Sequence, residues 1–315
     1  MGKIALWGAA GAIGESIANE LRAQGRPYRV VGRSRTSLER TFGSDPLAEI
    51  VTWDPVVPAS VRAAAEGIGT IVYLVGVDYA RFELHPILMR ATLDGAIAAG
   101  VARLLLVGTV YPYGRPQTTP VREGHPRTPH TFKGRMRKEQ EDLLLEEDRL
   151  GRIRGTVLRL PDFYGPGVAK SFLSELFTFA VTGKTANLIG PLDAPHEFVY
   201  VPDVGPVVTR LVDEPLAYGH VWHLAGAGIT TQRAMIERIE REIGRSVKTM
   251  VAGKTMLRLI GCFNSLMREL VEMHYLITDP IVLDDSALRE LLGPLHKTSY
   301  DDGVRAILSS QRVKL

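Results

Sequence analysis

The sequence predicts an α/β protein, a doubly wound parallel sheet with a smaller C-terminal lobe, and three observations predict it. Apolar strand-like runs alternate with amphipathic helix-like runs through the first half of the chain. Those apolar runs are near-continuous, the pattern of strands covered on both faces. Beyond Pro161 the rhythm changes: proline and glycine become frequent from Gly165 to Pro206, and helices are interrupted by short strands.

Taken in order, Lys3-Ile4-Ala5-Leu6-Trp7 reads as a buried strand, followed by a helix on which Ile13, Ile17 and Leu21 recur at helical spacing. Tyr28–Gly32 and Glu49–Trp53 read as the second and third strands, and Ser60–Glu66 as an Ala-rich helix. Thr70–Val75 is a fourth strand. Pro86 fits the first turn of a helix that runs to Ala99 and stops at Gly100. Val101–Val107 is a further apolar strand, Phe132–Arg149 a long charged helix ended by Gly151, and Thr156–Leu160 another strand. Phe198–Val201 and His220–Leu224 read as strands returning to the sheet, with helices over Thr231–Ile243 and Thr255–Met273.

The chain has 315 residues, 45% hydrophobic and 23% charged, with a net charge of +3 and both signs interspersed, which argues against a nucleic-acid partner. A single cysteine, Cys262, excludes an internal disulfide framework and a Cys-rich metal site; its apolar surroundings suit an inert core thiol. No leader precedes the first strand and no apolar window runs long enough to span a membrane, so a cytoplasmic location is expected.

The most informative segment is the first turn. Gly8, Gly11 and Gly14, with Ala10, Ala12 and Ile13 between them, form a G-x-x-G-x-x-G turn between strand and helix. Residues without side chains there let backbone N–H groups approach a pyrophosphate at a helix N-terminus, the signature of a Rossmann-type dinucleotide site. After the second strand an acidic residue would bond a ribose 2′-hydroxyl and repel a 2′-phosphate. Here the residues are Arg33, Ser34 and Arg35, with no carboxylate before Glu39. Two guanidinium forks and a hydroxyl suit a phosphate, so NADP(H) is expected ahead of NAD(H); the other reading is two solvated arginines. Asp54, after the third strand, is an adenine-side contact, a helix cap or a turn residue. The cofactor-binding core is expected over residues 1–165, with strands returning near 197–225, and a substrate lobe over 166–315.

Several segments, in order, resemble the extended short-chain dehydrogenase/reductase superfamily and its NAD-dependent epimerase/dehydratase group. They are the glycine turn, Leu104–Thr109 with Tyr113-Gly114, Leu158-Arg159-Leu160-Pro161-Asp162-Phe163-Tyr164-Gly165-Pro166-Gly167, Phe198–Val204, and Thr298–Gly303. The resemblance implies that Leu74, Val75, Gly76, Val107, Gly108, Leu160, Pro161, Asp162 and Phe163 also border the cofactor. It implies a small-molecule substrate and a homodimer through helices on one sheet face. It also exposes a departure. Where that group carries Tyr-x-x-x-Lys for proton transfer, this chain has Lys133-Gly134-Arg135-Met136-Arg137, with Thr109 in the Ser/Thr position.

Lys133 and Arg137, four apart, share a helix face. Arg137 cannot act as a base but can bond ribose hydroxyls. An ammonium beside a fixed cation and partly desolvated is disfavoured, so Lys133 is the expected general acid, with Thr109 bonding the same oxygen. Two cations there favour the reduced cofactor and carbonyl reduction. The competing readings are a solvated helix face and a catalytically silent NADP(H)-binding protein, with sugar-nucleotide epimerisation or dehydration ranked last because it uses the missing tyrosine. Tyr111, two residues after Thr109, is a substitute donor; Tyr113, Tyr164, His130, His196, Glu197, His220 and His223 are weaker ones. No ligand-spaced pair points to a metal. Asp203 is expected to cap the helix that follows it.

Overall fold

The structure, a computed structural model, describes residues 2–169, 171–253, 255–257, 269 and 271–312. Its first half follows the expected alternation: β1 (Lys3–Trp7), α1 (Ala12–Ala23), β2 (Tyr28–Gly32), α2 (Arg35–Phe42), β3 (Ala48–Thr52), α3 (Pro58–Ala65), β4 (Ile68–Tyr73), α4 (Leu84–Ala98), β5 (Arg103–Thr109), α5 (Phe132–Arg149) and β6 (Arg154–Leu160). The second half adds β7 (Asp162–Tyr164), α6 (Ser174–Thr182), β8 (Ala186–Ile189), β9 (His196–Tyr200), α7 (Val201–Asp213), β10 (Val221–His223), β11 (Ile229–Thr230), α8 (Gln232–Ile243) and β12 (Thr249–Ala252). Short helices at Tyr275–Thr278 and Ser286–Leu292 precede a last one at Tyr300–Arg312.

Seven strands form one parallel sheet in the order β10-β6-β5-β4-β1-β2-β3. The continuous apolar runs are explained by its two covers. Ile4, Leu6, Val30, Val72, Leu105 and Leu158 point to α1, α2 and α7, while Ala5, Trp7, Val31, Ile71, Leu104 and Val157 point to α3, α4 and α5. Side chains alternate along each strand, so both parities must be apolar. The chain leaves β1 and β4 in opposite directions along the sheet. This switch point opens a crevice at the strands' carboxyl ends.

Of the two strands expected to return, β10 closes the sheet beside β6, but β9 does not join it. It pairs with β7 and β11 in a separate three-stranded sheet. Phe198 and Tyr200 there pack with Tyr164, Phe177 and Tyr300 into a second core. That partner surface lies far along the chain, so local pattern could not reveal it. β8 and β12 pair as a further parallel ribbon.

Asp203 is not a cap. It lies in the first turn of α7, and its carboxylate accepts from the backbone N–H and the hydroxyl of Thr298, both at 2.7 Å. A side chain at Gly303 would meet the Tyr164 hydroxyl at 2.4 Å. Asp203, Thr298, Tyr164 and Gly303 therefore clasp the last helix to the lobe. The expected helix over 255–273 and Cys262 lie largely or wholly outside the described residues. Among the described residues no helix is long and apolar enough to cross a membrane.

Candidate functional site

Each glycine of the first turn has a different reason to be there. Gly8 has φ of 87°, and a Cβ on it would meet the Val75 backbone at 2.7 Å. A Cβ on Gly14 would lie 2.0 Å from the Ala9 carbonyl oxygen, so Gly14 lets α1 pack on the turn. Gly11 is the N-cap of α1, and a Cβ there would meet nothing within 4 Å. Two glycines are thus demanded by the protein itself, while Gly11 stands against open space at a helix N-terminus. A helix start with free N–H groups and nothing in front of it suits a phosphate.

Beside the turn is a cavity of about 470 Å³ lined by Gly8, Ala10, Gly32, Arg33, Ser34, Ser37, Trp53, Val75 and Gly76. It lies at the ends of β1, β2 and β4, as the sequence places a nucleotide. Arg33 is exposed and has no ion-pair partner among the described residues. Ser34 caps α2 by accepting from the Ser37 N–H at 3.3 Å. The contact expected of Arg35 is corrected, and of the readings open for Asp54 the turn role is the one seen. Arg35 is turned to Glu39, one helical turn away at 3.2 Å, and does not line the cavity. Asp54 accepts from the Val56 N–H at 3.0 Å and holds a turn; Trp53 lines the cavity in its place.

Of the other residues assigned to this site, Ala12 and Ile13 open α1 beside Gly11, and Leu74 leads from β4 into Val75, its N–H bonded to the Trp7 carbonyl at 2.7 Å. Val107 and Leu160 lie in the core, and a Cβ on Gly108 would meet Val157 at 3.1 Å and Glu141 at 3.2 Å. The assignment of Gly108 to the cofactor surface is therefore revised. It makes room for the buried Arg159–Glu141 pair, with contacts at 3.1 and 2.5 Å. Pro161 is buried, while Asp162 and Phe163 are half-buried beyond the end of β6.

Thr109 ends β5, and its hydroxyl oxygen accepts from the Tyr111 N–H at 3.3 Å, which leaves the hydroxyl proton free to be donated. Tyr111 meets Tyr79 hydroxyl to hydroxyl at 3.2 Å. Burial, and next the Asp162 charge, push the Tyr111 phenol up to about 12. Burial also holds the Tyr79 phenol well above its ordinary value, with further contributions from Tyr111, Asp162 and Glu272. Both phenols keep their protons at neutral pH.

Lys133 and Arg137 do share the buried face of α5, at 0% and 7% exposure, so a solvated helix face is excluded. The charge environment differs from the expectation. The Lys133 ammonium is paired with Glu269 and with Glu272, the latter at 2.8 Å, and lies 5.1 Å from the Tyr79 ring centre and 5.6 Å from that of Phe82. Glu272 also accepts the Lys133 backbone N–H at 3.0 Å. Two carboxylates offset the two cations, so the argument for carbonyl reduction over alcohol oxidation does not stand. The Arg137 guanidinium, expected to bond ribose hydroxyls, is instead engaged within the protein, bonding His85 at 3.1 Å and the Val107 carbonyl at 3.5 Å. Burial, and then Arg137, push His85 down to about 2.

Among the weaker donors, Tyr113 and His223 form a buried pair at 2.5 Å and are structural. His130 is exposed and edges onto Tyr275. His220 packs beside Trp222. Glu197 is a buried residue of β9 and accepts the Leu283 N–H at 3.1 Å. His196 bonds Asp162 at 2.6 Å. Among the described residues no group of three or more potential ligands is arranged for a metal. Local sequence missed Tyr79, Phe82, Glu269 and Glu272. The aromatic spacing Tyr79–Phe82 after β4 was a usable signal; the glutamates, far along the chain, carried none.

The family model for "NAD dependent epimerase/dehydratase family" matches residues 4–225. The chain belongs to this family. A dTDP-6-deoxy-L-talose 4-dehydrogenase (NAD(P)(+)) of Kitasatospora kifunensis is 27% identical over 255 residues, 77% of this chain and 79% of that protein. Protein YeeZ of Escherichia coli K12 is 28% identical over 212 residues, 67% of this chain and 66% of its own. Two structures share the family member's fold with a TM-score of 0.82. One, a dTDP-glucose 4,6-dehydratase of Bacillus anthracis in complex with NAD, is 14% identical and matched over 99% of this chain and 97% of its own. The other, a UDP-glucuronic acid 4-epimerase of Bacillus cereus in complex with NAD, is 16% identical and matched over 99% of both chains.

Proposed function

We propose that this family member is a nicotinamide-dependent oxidoreductase that transfers hydride at a carbinol or keto carbon of a sugar-type substrate, with NADP(H) preferred. The observation that carries it is Gly11, a side-chain-free helix N-terminus facing open space beside a nucleotide-sized cavity. Gly8, Ala10, Gly11 and Ala12 would hold the pyrophosphate and Gly32, Ser34 and Trp53 the adenosine. The unpaired Arg33 would meet a 2′-phosphate. When bound, the cofactor supplies or accepts the hydride. Thr109 would orient the substrate oxygen with its free hydroxyl proton, and Lys133 would fix the local charge.

The ranking of substrates expected from the missing tyrosine is revised, because three of the four named relatives carry the names of sugar-nucleotide enzymes. The test is calorimetric binding of NADPH and NADH, then reduced-nicotinamide absorbance with dTDP-6-deoxy-L-talose and NADP⁺, and with the corresponding 4-keto sugar nucleotide. Tight NADPH binding with turnover is expected; absence of cofactor binding refutes the proposal. A silent cofactor-binding protein is favoured by one observation, the ion-paired Lys133 in the phenol's place. NADPH binding with no turnover on either sugar nucleotide supports that reading.

A further inference from the structure

Resting on the oxidoreductase reading, we propose that the reaction's proton is exchanged through the Asp162–His196 pair, with Asp162 facing the substrate oxygen and His196 as the reservoir behind it. Asp162 is the first residue of β7, two beyond Leu160, and Leu160 lies beside Thr109 in the sheet register. Asp162 is therefore half-buried at the same carboxyl end of the sheet as Thr109, and its charge acts on the Tyr79 and Tyr111 phenols. His196, the first residue of β9, places Nε2 2.6 Å from the Asp162 carboxylate. Its ring is held by Phe198 at 4.5 Å between centres and by Phe172 edge-on at 6.2 Å.

The other groups are less suited to the task. Lys133 already serves Glu269 and Glu272. The phenols are held protonated by burial and by the same Asp162 charge. Arg137 stays charged throughout the working range. Histidine is the side chain that gains and loses a proton near neutrality, and a carboxylate on one ring nitrogen fixes its orientation.

In the reducing direction the carbonyl carbon gains hydride and the π pair moves onto oxygen. The Nε2 proton of the His196 imidazolium moves to the Asp162 carboxylate, and the Asp162 carboxyl delivers a proton to the substrate oxygen. One N–H bond is lost and one substrate O–H bond is formed. The carboxylate is restored, and the neutral imidazole recovers its proton from water. Oxidation runs the same path in reverse. The titratable groups on which the Asp162 charge acts are Tyr79, from the loop after β4, and Tyr111, after β5.

The variants are Asp162→Asn, an isosteric change at a half-buried site, and His196→Asn, each checked for an unchanged melting point. With dTDP-6-deoxy-L-talose and NADP⁺, both should lose about 100-fold or more in kcat. KM and NADPH affinity should stay within about twofold, and the near-neutral inflection of the pH–rate profile should vanish. Lys133→Met should keep that inflection. Wild-type kcat and profile in both pair variants overturn the proposal, as does loss of the inflection in Lys133→Met alone. If the wild type binds NADPH but turns over no sugar nucleotide, the oxidoreductase reading fails separately. Histidine NMR then decides the pairing. The His196 titration should shift in Asp162→Asn and on NADPH binding, and an identical titration in all three states overturns it.

Discussion

The sharpest prediction concerns Gly11→Ala. The backbone at Gly11 has φ of −117° and ψ of 168°, which alanine adopts without strain, and the new Cβ meets no atom within 4 Å. Alanine is a poorer N-cap than glycine by about 1 kcal/mol, and loss of unfolded-chain freedom returns roughly 0.4–1 kcal/mol. The protein should therefore fold normally, with Tm moved by no more than about 3 °C. Cofactor binding should behave differently. A methyl group in front of the helix N-terminus displaces the pyrophosphate and removes at least one charge-assisted hydrogen bond, about 1.5–3 kcal/mol. At 1.4 kcal/mol per tenfold, NADPH affinity should fall roughly 10- to 150-fold. Calorimetry of NADPH binding alongside a thermal melt measures both quantities. Gly14→Ala is the control of opposite sign: its Cβ would lie 2.0 Å from the Ala9 oxygen, so stability itself should fall. An unchanged NADPH Kd in a normally folded Gly11→Ala variant would refute the phosphate seat.

Other predictions follow from single contacts. Arg33→Asp should shift the NADPH/NADH affinity ratio toward NADH by about tenfold or more, through loss of a charge-assisted bond and added repulsion; a constant ratio in calorimetric titrations removes Arg33 from the site. Arg159→Met leaves Glu141 buried with, among the described residues, only the Arg127 ion pair at 3.3 Å, and should cost about 3–5 kcal/mol in urea unfolding. Asp203→Ala should release the Thr298 clasp at a cost of about 1–3 kcal/mol, read as faster proteolysis of the C-terminal helix. Burial, and next Arg159, push His223 down to about 3 from its ordinary 6.5. Between those values the unfolded chain binds a proton that the native state does not, so stability falls as pH drops from 6.5 toward 3. His223→Gln should flatten that slope in urea midpoints measured across the window.

What the sequence determined by itself is whatever neighbours along the chain decide. The strand–turn–helix at Gly8–Gly14, the parallel sheet and the common face of Lys133 and Arg137 follow from spacing and side-chain size. A turn's φ, a strand's covered faces and a helix's periodicity are local properties. Tertiary structure alone decided where charges meet. It brought Glu269 and Glu272 onto Lys133, turned Arg137 to His85, set Asp203 on Thr298, drew β9 out of the main sheet and placed His196 on Asp162. Electrostatic pairing acts over a few ångströms of space whatever the separation along the chain, and spacing in sequence carries no record of it.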